Sequence, residues 1–216
     1  MYRAVALDVC GVLTTHKSVW QFIHEELDIW TNNAERFQDD FLAGRISYRE
    51  FCDLDARLWA GIETCQMERI IDRLPLRDHI DELFSFFKDR SLQVGLISTG
   101  LTVLTDRLAR QYAVDFSIAN HLLWKNDRLT GDVEIRVEHD GKGCALRQFA
   151  RSIGVKPTEI ITVGDGESDI PMFQAAGSSI GFVPGGSVSE KMKRAVDVLV
   201  TTDMAALVAA VDNVCS

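Results

Sequence analysis

Short apolar runs alternate with amphipathic stretches along most of the chain. Arg3–Leu7, Leu92–Ile97 and Glu159–Val163 are nearly continuous in hydrophobic residues, the pattern of strands buried on both faces of a parallel sheet. Ser179–Phe182 and Val196–Val200 continue the series, with helix-period segments between them. Alternating strands and helices predict a doubly wound α/β core. Two further short runs, near His121–Trp124 and Val133–Ile135, flank Asn126-Asp127-Arg128 and predict a small hairpin.

The rhythm breaks between about Thr15 and Pro75. No strand pattern occurs there, but Val19–Ile29, Ala34–Leu42, Tyr48–Trp59 and Cys65–Leu74 all read as helices. In the third of these, Phe51, Leu54, Leu58 and Trp59 recur at helical spacing. Ser47 followed by Glu50 is a capping-box signature, and Gly44 and Gly61 stand at helix stops. The expected organisation is a core of residues 1–14 and 76–216 with a helical cap domain, residues 15–75, inserted after the first strand. Trp20, Trp30 and Trp59 are expected in the core of that cap.

Charge and cysteine usage narrow the function classes. The 216 residues carry 23 basic and 32 acidic side chains, a formal net charge of −9. Such a surface disfavours nucleic acid and anionic membranes as partners, and the densest basic stretch, Lys191, Lys193 and Arg194, reads as a solvated helix face. No apolar run approaches the ~20 residues of a membrane span. With no signal-peptide pattern at the N-terminus, the expected location is cytoplasmic. Cys10, Cys52, Cys65, Cys144 and Cys215 are odd in number and unpaired by any motif, so they read as reduced thiols.

In an open parallel sheet, ligands bind beyond the carboxyl ends of the strands. Asp8 ends the first strand, Ser98-Thr99-Gly100 the second, and Gly164-Asp165-Gly166-Glu167-Ser168-Asp169 the third. Lys142 opens the helix that leads into the third. Each of these alone is an ordinary cap, turn or surface residue. Together and in this order they fit phosphoryl transfer from an ester. Asp8 is the candidate nucleophile, and Asp8, Asp165 and Asp169 are candidate ligands of a hard divalent cation. Ser98, Thr99 and Gly100 are expected to bind phosphoryl oxygens, and Lys142 to add a point charge to the same group.

Leu7-Asp8-Val9-Cys10-Gly11-Val12-Leu13-Thr14 resembles the first motif of the haloacid dehalogenase-like hydrolase superfamily. Ile97-Ser98-Thr99-Gly100 resembles the second, Lys142 the third, and Gly164–Asp169 with Ile170-Pro171-Met172 the fourth. The early helical insert and Gly44-Arg45-Ile46-Ser47-Tyr48 are similar to the phosphoserine phosphatase-like branch. The resemblance implies a Rossmann-like core with a helical cap, Mg²⁺ as cofactor, a small phosphorylated metabolite as substrate, and a metal ligand in the backbone carbonyl of Cys10.

Two departures from the family pattern bear on function. Cys10 stands where family phosphatases usually carry a second acid, which protonates the leaving group and then activates water. Cys10 is compatible with a slow or specialised phosphatase, with a phospholigand-binding protein that has lost catalysis, or with a substitution made to trap a complex. Lys17 stands where phosphoserine phosphatases commonly have a glutamate for the substrate amine, and Asp55 aligns with their arginine for the substrate carboxylate, with Arg57 close by. Both charges are reversed, which argues against phosphoserine as substrate. Lys17 either meets an acidic group or pairs with Asp55, and of these the pair is favoured. Phosphonate cleavage would need a cap lysine as Schiff base, for which Lys17 is the early candidate.

Overall fold

A computed structural model describes residues 1–31 and 33–216. Its seven-stranded sheet has the order β4-β3-β2-β1-β5-β6-β7. The strands are β1 Ala4–Leu7, β2 Gln93–Leu101, β3 Phe116–Lys125, β4 Arg128–Glu134, β5 Ile160–Gly164, β6 Ser178–Phe182 and β7 Val198–Val200. All neighbours pair in parallel except β3 and β4. The central strand β1 is Ala-Val-Ala-Leu with every side chain fully buried. Burying a Val or Leu of this kind is worth roughly 1.5–3 kcal/mol.

Between β1 and β2 run α1 Val19–Glu26, α2 Glu35–Leu42, α3 Tyr48–Leu58 and α4 Thr64–Arg73. Ser47 caps α3 by accepting from the Glu50 N–H at 3.1 Å, as its spacing predicts. Trp20 and Trp59 stack at 5.4 Å and Phe41 and Phe51 at 5.3 Å, so aromatic rings fill the interior of this insert. Of the apolar stripe on α3, Leu58 alone turns to solvent. The insert closes on itself through an antiparallel bridge between Thr14 and Leu76, flanked by Thr15 N–H to Pro75 O at 3.1 Å and Arg77 N–H to Leu13 O at 2.9 Å.

The remaining helices cover the sheet: α5 Ile80–Asp89, α6 Thr102–Gln111, α7 Lys142–Ser152, α8 Ile170–Phe173, α9 Glu190–Lys193 and α10 Met204–Cys215. The hairpin is longer than its sequence pattern suggests. Its turn residues Asn126 and Asp127 both have positive φ, the type I′ geometry that matches strand twist. It also supports the insert, since Gly61 and Ile62 exchange backbone hydrogen bonds with Leu129, and Arg128 pairs with Glu63. On α9, Lys191 and Lys193 pair with Glu167 and Glu190 at the surface, so that basic stretch is a solvated face. All five cysteines are free thiols. No helix among the described residues is long and apolar enough to cross a membrane.

The sheet order reverses at β1, which has β2 on one side and β5 on the other. That switch point opens a crevice at the carboxyl ends of β1 and β5. On β2, the register against β3 breaks between Ile97 and Leu101. Such irregularities release backbone from the ladder and re-aim it, here at Ser98, Thr99 and Gly100.

Candidate active site

Asp8 follows β1 directly, and its N–H extends the sheet by donating to Val163 O at 2.9 Å. Lys142 reaches it from the start of α7. The ammonium bonds Asp8 Oδ1 at 2.7 Å and Asp169 Oδ1 at 2.5 Å, with all three side chains buried. The other oxygen of Asp169 accepts from the N–H groups of Asp165 and Gly166 at 2.9 and 3.0 Å, which shapes the turn after β5. Oxygens of Asp8, Asp165 and Asp169 all lie within 4.8 Å of one another. The sequence-predicted acids and lysine therefore form one cluster.

Its electrostatics are unbalanced. Burial pushes the Asp8 carboxyl up to about 8; Lys142 opposes this, and the charges of Asp169 and Asp165 add to it. Asp165 is pushed up to about 6, by burial and then by Asp169. Burial works against the Lys142 charge as well, but Asp169 and Asp8 more than compensate and hold its pKa above the usual lysine value. Three clustered carboxyl groups, Asp8 and Asp169 buried and Asp165 half-buried, face one ammonium, so the site holds an excess of hard oxygen donors. That is a fit for a divalent cation such as Mg²⁺.

The loop after Asp8 is tightly packed. Gly11 has φ +83°, and a Cβ there would lie 2.1 Å from Asp165 Oδ2, so only glycine fits. Its carbonyl accepts two bonds from Arg77, at 3.0 and 2.7 Å, while the guanidinium rests on Phe182 at 5.4 Å. Arg77 carries no motif and was not legible as a site residue; its one signal is its place beside the neck of the insert. Cys10 is buried next to Asp8. Burial, and then the Asp8 charge, push its thiol up to about 12, so it is a protonated thiol and not a redox-active thiolate. Ser98 is buried in the same crevice, where its hydroxyl accepts the Gly100 N–H at 3.0 Å.

The two specificity candidates do not pair. Asp55 is 1% exposed and faces His24 across 3.2 Å inside the insert, and His24 accepts the Trp59 indole N–H at 3.2 Å. The Lys17–Asp55 pair expected from sequence is therefore corrected to a His24–Asp55 pair. Periodicity does not reveal that Asp55 and His24 meet across two helices of the insert. Lys17 is exposed instead at the crevice, 3.9 Å from where a Gly186 Cβ would stand, and its charge acts on Asp165.

Comparison with known proteins bears on this arrangement. The profile of the haloacid dehalogenase-like hydrolase family matches residues 2–177. The chain belongs to the haloacid dehalogenase-like hydrolases. Among curated proteins, it is 30% identical over 180 residues to the phosphoserine phosphatase of Streptococcus thermophilus, covering 82% of each chain. It is 29% identical over 169 residues to the phosphoserine phosphatase of Archaeoglobus fulgidus, covering 74% of this chain and 49% of that one. For the Streptomyces coelicolor phosphoserine phosphatase the figures are 33% over 159 residues, 73% and 38%. The chain thus spans half or less of the length of two of these relatives. A substrate-bound phosphoserine phosphatase complex superposes with a TM-score of 0.82 at 21% identity, over 98% of both chains. A haloacid dehalogenase-like hydrolase of Salmonella enterica serovar Typhi gives 0.84 at 18% identity, over 95% of this chain and 71% of that one. These two likenesses establish the shared fold.

Proposed function

We propose that the chain is a Mg²⁺-dependent phosphomonoester phosphatase, acting on a small phosphorylated metabolite through an aspartyl-phosphate on Asp8. The observation that carries this reading is the cluster of Asp8, Asp165 and Asp169, with Lys142 bridging Asp8 and Asp169. Asp8 attacks phosphorus, the bond from phosphorus to the ester oxygen breaks, and the leaving oxygen takes a proton. Water then attacks the phosphoryl group, the Asp8–phosphorus bond breaks, and inorganic phosphate leaves. Ser98 and the N–H groups near Gly100 hold the phosphoryl oxygens, with Lys142 beside them. Asp8, Asp165, Asp169 and the Cys10 carbonyl would hold Mg²⁺. When bound, the cation relieves repulsion between Asp8 and an anionic substrate. The bridge at Thr14 and Leu76 supports division into a core, residues 1–14 and 76–216, and a cap, residues 15–75.

The test is Mg²⁺-dependent hydrolysis of phosphomonoesters by the native chain and by Asp8→Asn, with hydroxylamine trapping of the acyl phosphate. Turnover that survives Asp8→Asn would sink the mechanism. A second reading, phospholigand binding without turnover, draws on the Cys10 thiol, held protonated by burial.

Metal binding has a thermal signature. Asp8 and Asp165 bind protons more tightly folded, at about 8 and about 6, than at their usual 3.8. Stability from that difference is complete below pH ~4 and is lost as pH rises through ~6 and then ~8. The metal-free protein is expected to melt at a lower temperature at pH 8 than at pH 5. Mg²⁺ at a hundred times its Kd is expected to restore roughly 5–10 °C at pH 8. Scanning calorimetry at both pH values checks this, and a midpoint indifferent to Mg²⁺ at pH 8 contradicts the site.

Substrate choice follows from the two displaced charges. Asp55 is locked to His24 in the cap, and Lys17 presents a cation where a substrate amine would be repelled. Phosphoserine is therefore expected to be a poorer substrate than phosphomonoesters without an ammonium group. A panel of such esters compared by kcat/KM decides it; phosphoserine as the best substrate would overturn this assignment.

A further inference from the structure

Three donors converge on one backbone oxygen in the crevice. The carbonyl of Thr99 accepts from Tyr48 OH at 2.7 Å, from Asn120 Nδ2 at 3.0 Å and from Trp20 Nε1 at 3.2 Å. Tyr48 and Trp20 belong to α3 and α1 of the insert, whereas Asn120 belongs to β3 of the core. Asn120 is itself immobilised. It is fully buried, and its carbonyl oxygen accepts the N–H groups of Arg136 and Val137, both at 2.9 Å. Its amide also donates to the Tyr48 hydroxyl at 2.9 Å. Burial raises the Tyr48 pKa well above its ordinary value, so the hydroxyl remains a donor at any working pH.

The peptide these donors grip is the one that joins Thr99 to Gly100. No cis bond occurs among the described residues, and in a planar trans peptide C=O and N–H point in opposite directions. Drawing the Thr99 oxygen toward the insert therefore turns the Gly100 N–H toward Ser98 Oγ, which it meets at 3.0 Å. A Cβ on Gly100 would lie 3.6 Å from Cys10 Sγ and 2.8 Å from Val19, so this backbone lies against the catalytic loop with no room for a side chain. Because the β2 register breaks between Ile97 and Leu101, the strand ladder does not set the peptide. Opening of the insert would remove two of the three donors.

We propose that Tyr48 and Trp20 are positioning residues that couple closure of the cap to the orientation of the Thr99–Gly100 peptide, and so to the Ser98 hydroxyl that its N–H holds. The coupling to phosphate rests on the function proposed above; the coupling to the peptide stands on the hydrogen bonds alone. An open cap then leaves the phosphoryl site incomplete, and closure over substrate assembles it, so that substrate excluded from the cap gains little from the core.

The experiment compares Tyr48→Phe, Trp20→Phe and the double variant with the native chain, using inorganic phosphate with Mg²⁺ as the probe. Tyr2→Phe, which removes a hydroxyl bonded to Gly177 O away from the site, serves as control. Each single variant is expected to speed amide exchange at Gly100 and to weaken phosphate binding about fivefold to tenfold. The double variant should lose more, Mg²⁺ affinity should hold, and Tyr2→Phe should match the native chain. Unchanged exchange at Gly100 in the double variant overturns the proposal. So does a loss spread equally over phosphate, Mg²⁺ and thermal midpoint, which marks general destabilisation. If the native chain binds no phosphate, the phosphatase reading fails while the exchange at Gly100 still decides the coupling.

Discussion

Replacing Cys10 by aspartate is expected to raise kcat for an alkyl phosphate by about 10²–10⁴-fold at neutral pH, the usual worth of a positioned general acid–base. Cys10 is buried beside Asp8, and its thiol is pushed up to about 12. A group that reluctant to ionise is a poor proton donor to a leaving alkoxide. It is also unable to serve as base when water attacks the phospho-intermediate. An aspartate in that position would share the field of Asp8 and Asp169, which raises carboxyl pKa values here and favours the acid form needed in the first step. The gain should depend on the leaving group. An aryl oxide leaves without much proton assistance, so its release should gain little, and any gain on aryl phosphate reports the hydrolysis step. Steady-state kinetics on an alkyl and an aryl ester, with native protein and variant, separate the two. Equal rates for native and variant protein on the alkyl ester would show that some other group already delivers the proton.

Much of this site was legible in the sequence because its residues occupy positions that topology fixes. Asp8, Lys142, Asp165 and Asp169 sit at strand ends or a helix start, and a doubly wound sheet brings those ends to one crevice whatever the side-chain packing. The four helices of the insert were legible for a similar reason, since their apolar stripes have a clear period. What escaped were contacts between elements with no fixed register. Asp55 is expected from sequence to pair with Lys17, yet its helix buries that side against His24. Trp20 reads as cap core and its ring is packed there, but its polar end, like that of Tyr48, crosses to Thr99. Arg77 grips Gly11 across the neck, a contact that no local pattern encodes. Periodicity gives the face of a helix; it does not give which polar tip on that face finds a partner in another layer.

Lys142→Met should have the largest effect on stability. Lys142 is 1% exposed and is the cation bonded to both Asp8 and Asp169. Methionine keeps the length and apolar stem of the side chain, so the substitution removes charge and hydrogen bonds while opening little space. The variant leaves Asp8, Asp165 and Asp169 with oxygens within 4.8 Å of one another and no ammonium among them. Removing one partner of a buried ion pair costs about 3–5 kcal/mol. That cost should appear in urea unfolding of the metal-free variant at pH 8. It should shrink toward pH 5, where the raised Asp8 and Asp165 carboxyls take up protons and the repulsion falls. Saturating Mg²⁺ should recover part of the stability at pH 8 but not the turnover, which is expected to fall by at least about 10²–10³-fold if, as proposed, the Lys142 charge meets the phosphoryl group. The two readouts distinguish a lysine that only balances buried acids from one that also serves the reaction. If Mg²⁺ restores both stability and rate, Lys142 balances charge and nothing more; if it restores stability alone, the ammonium acts on the phosphoryl group itself.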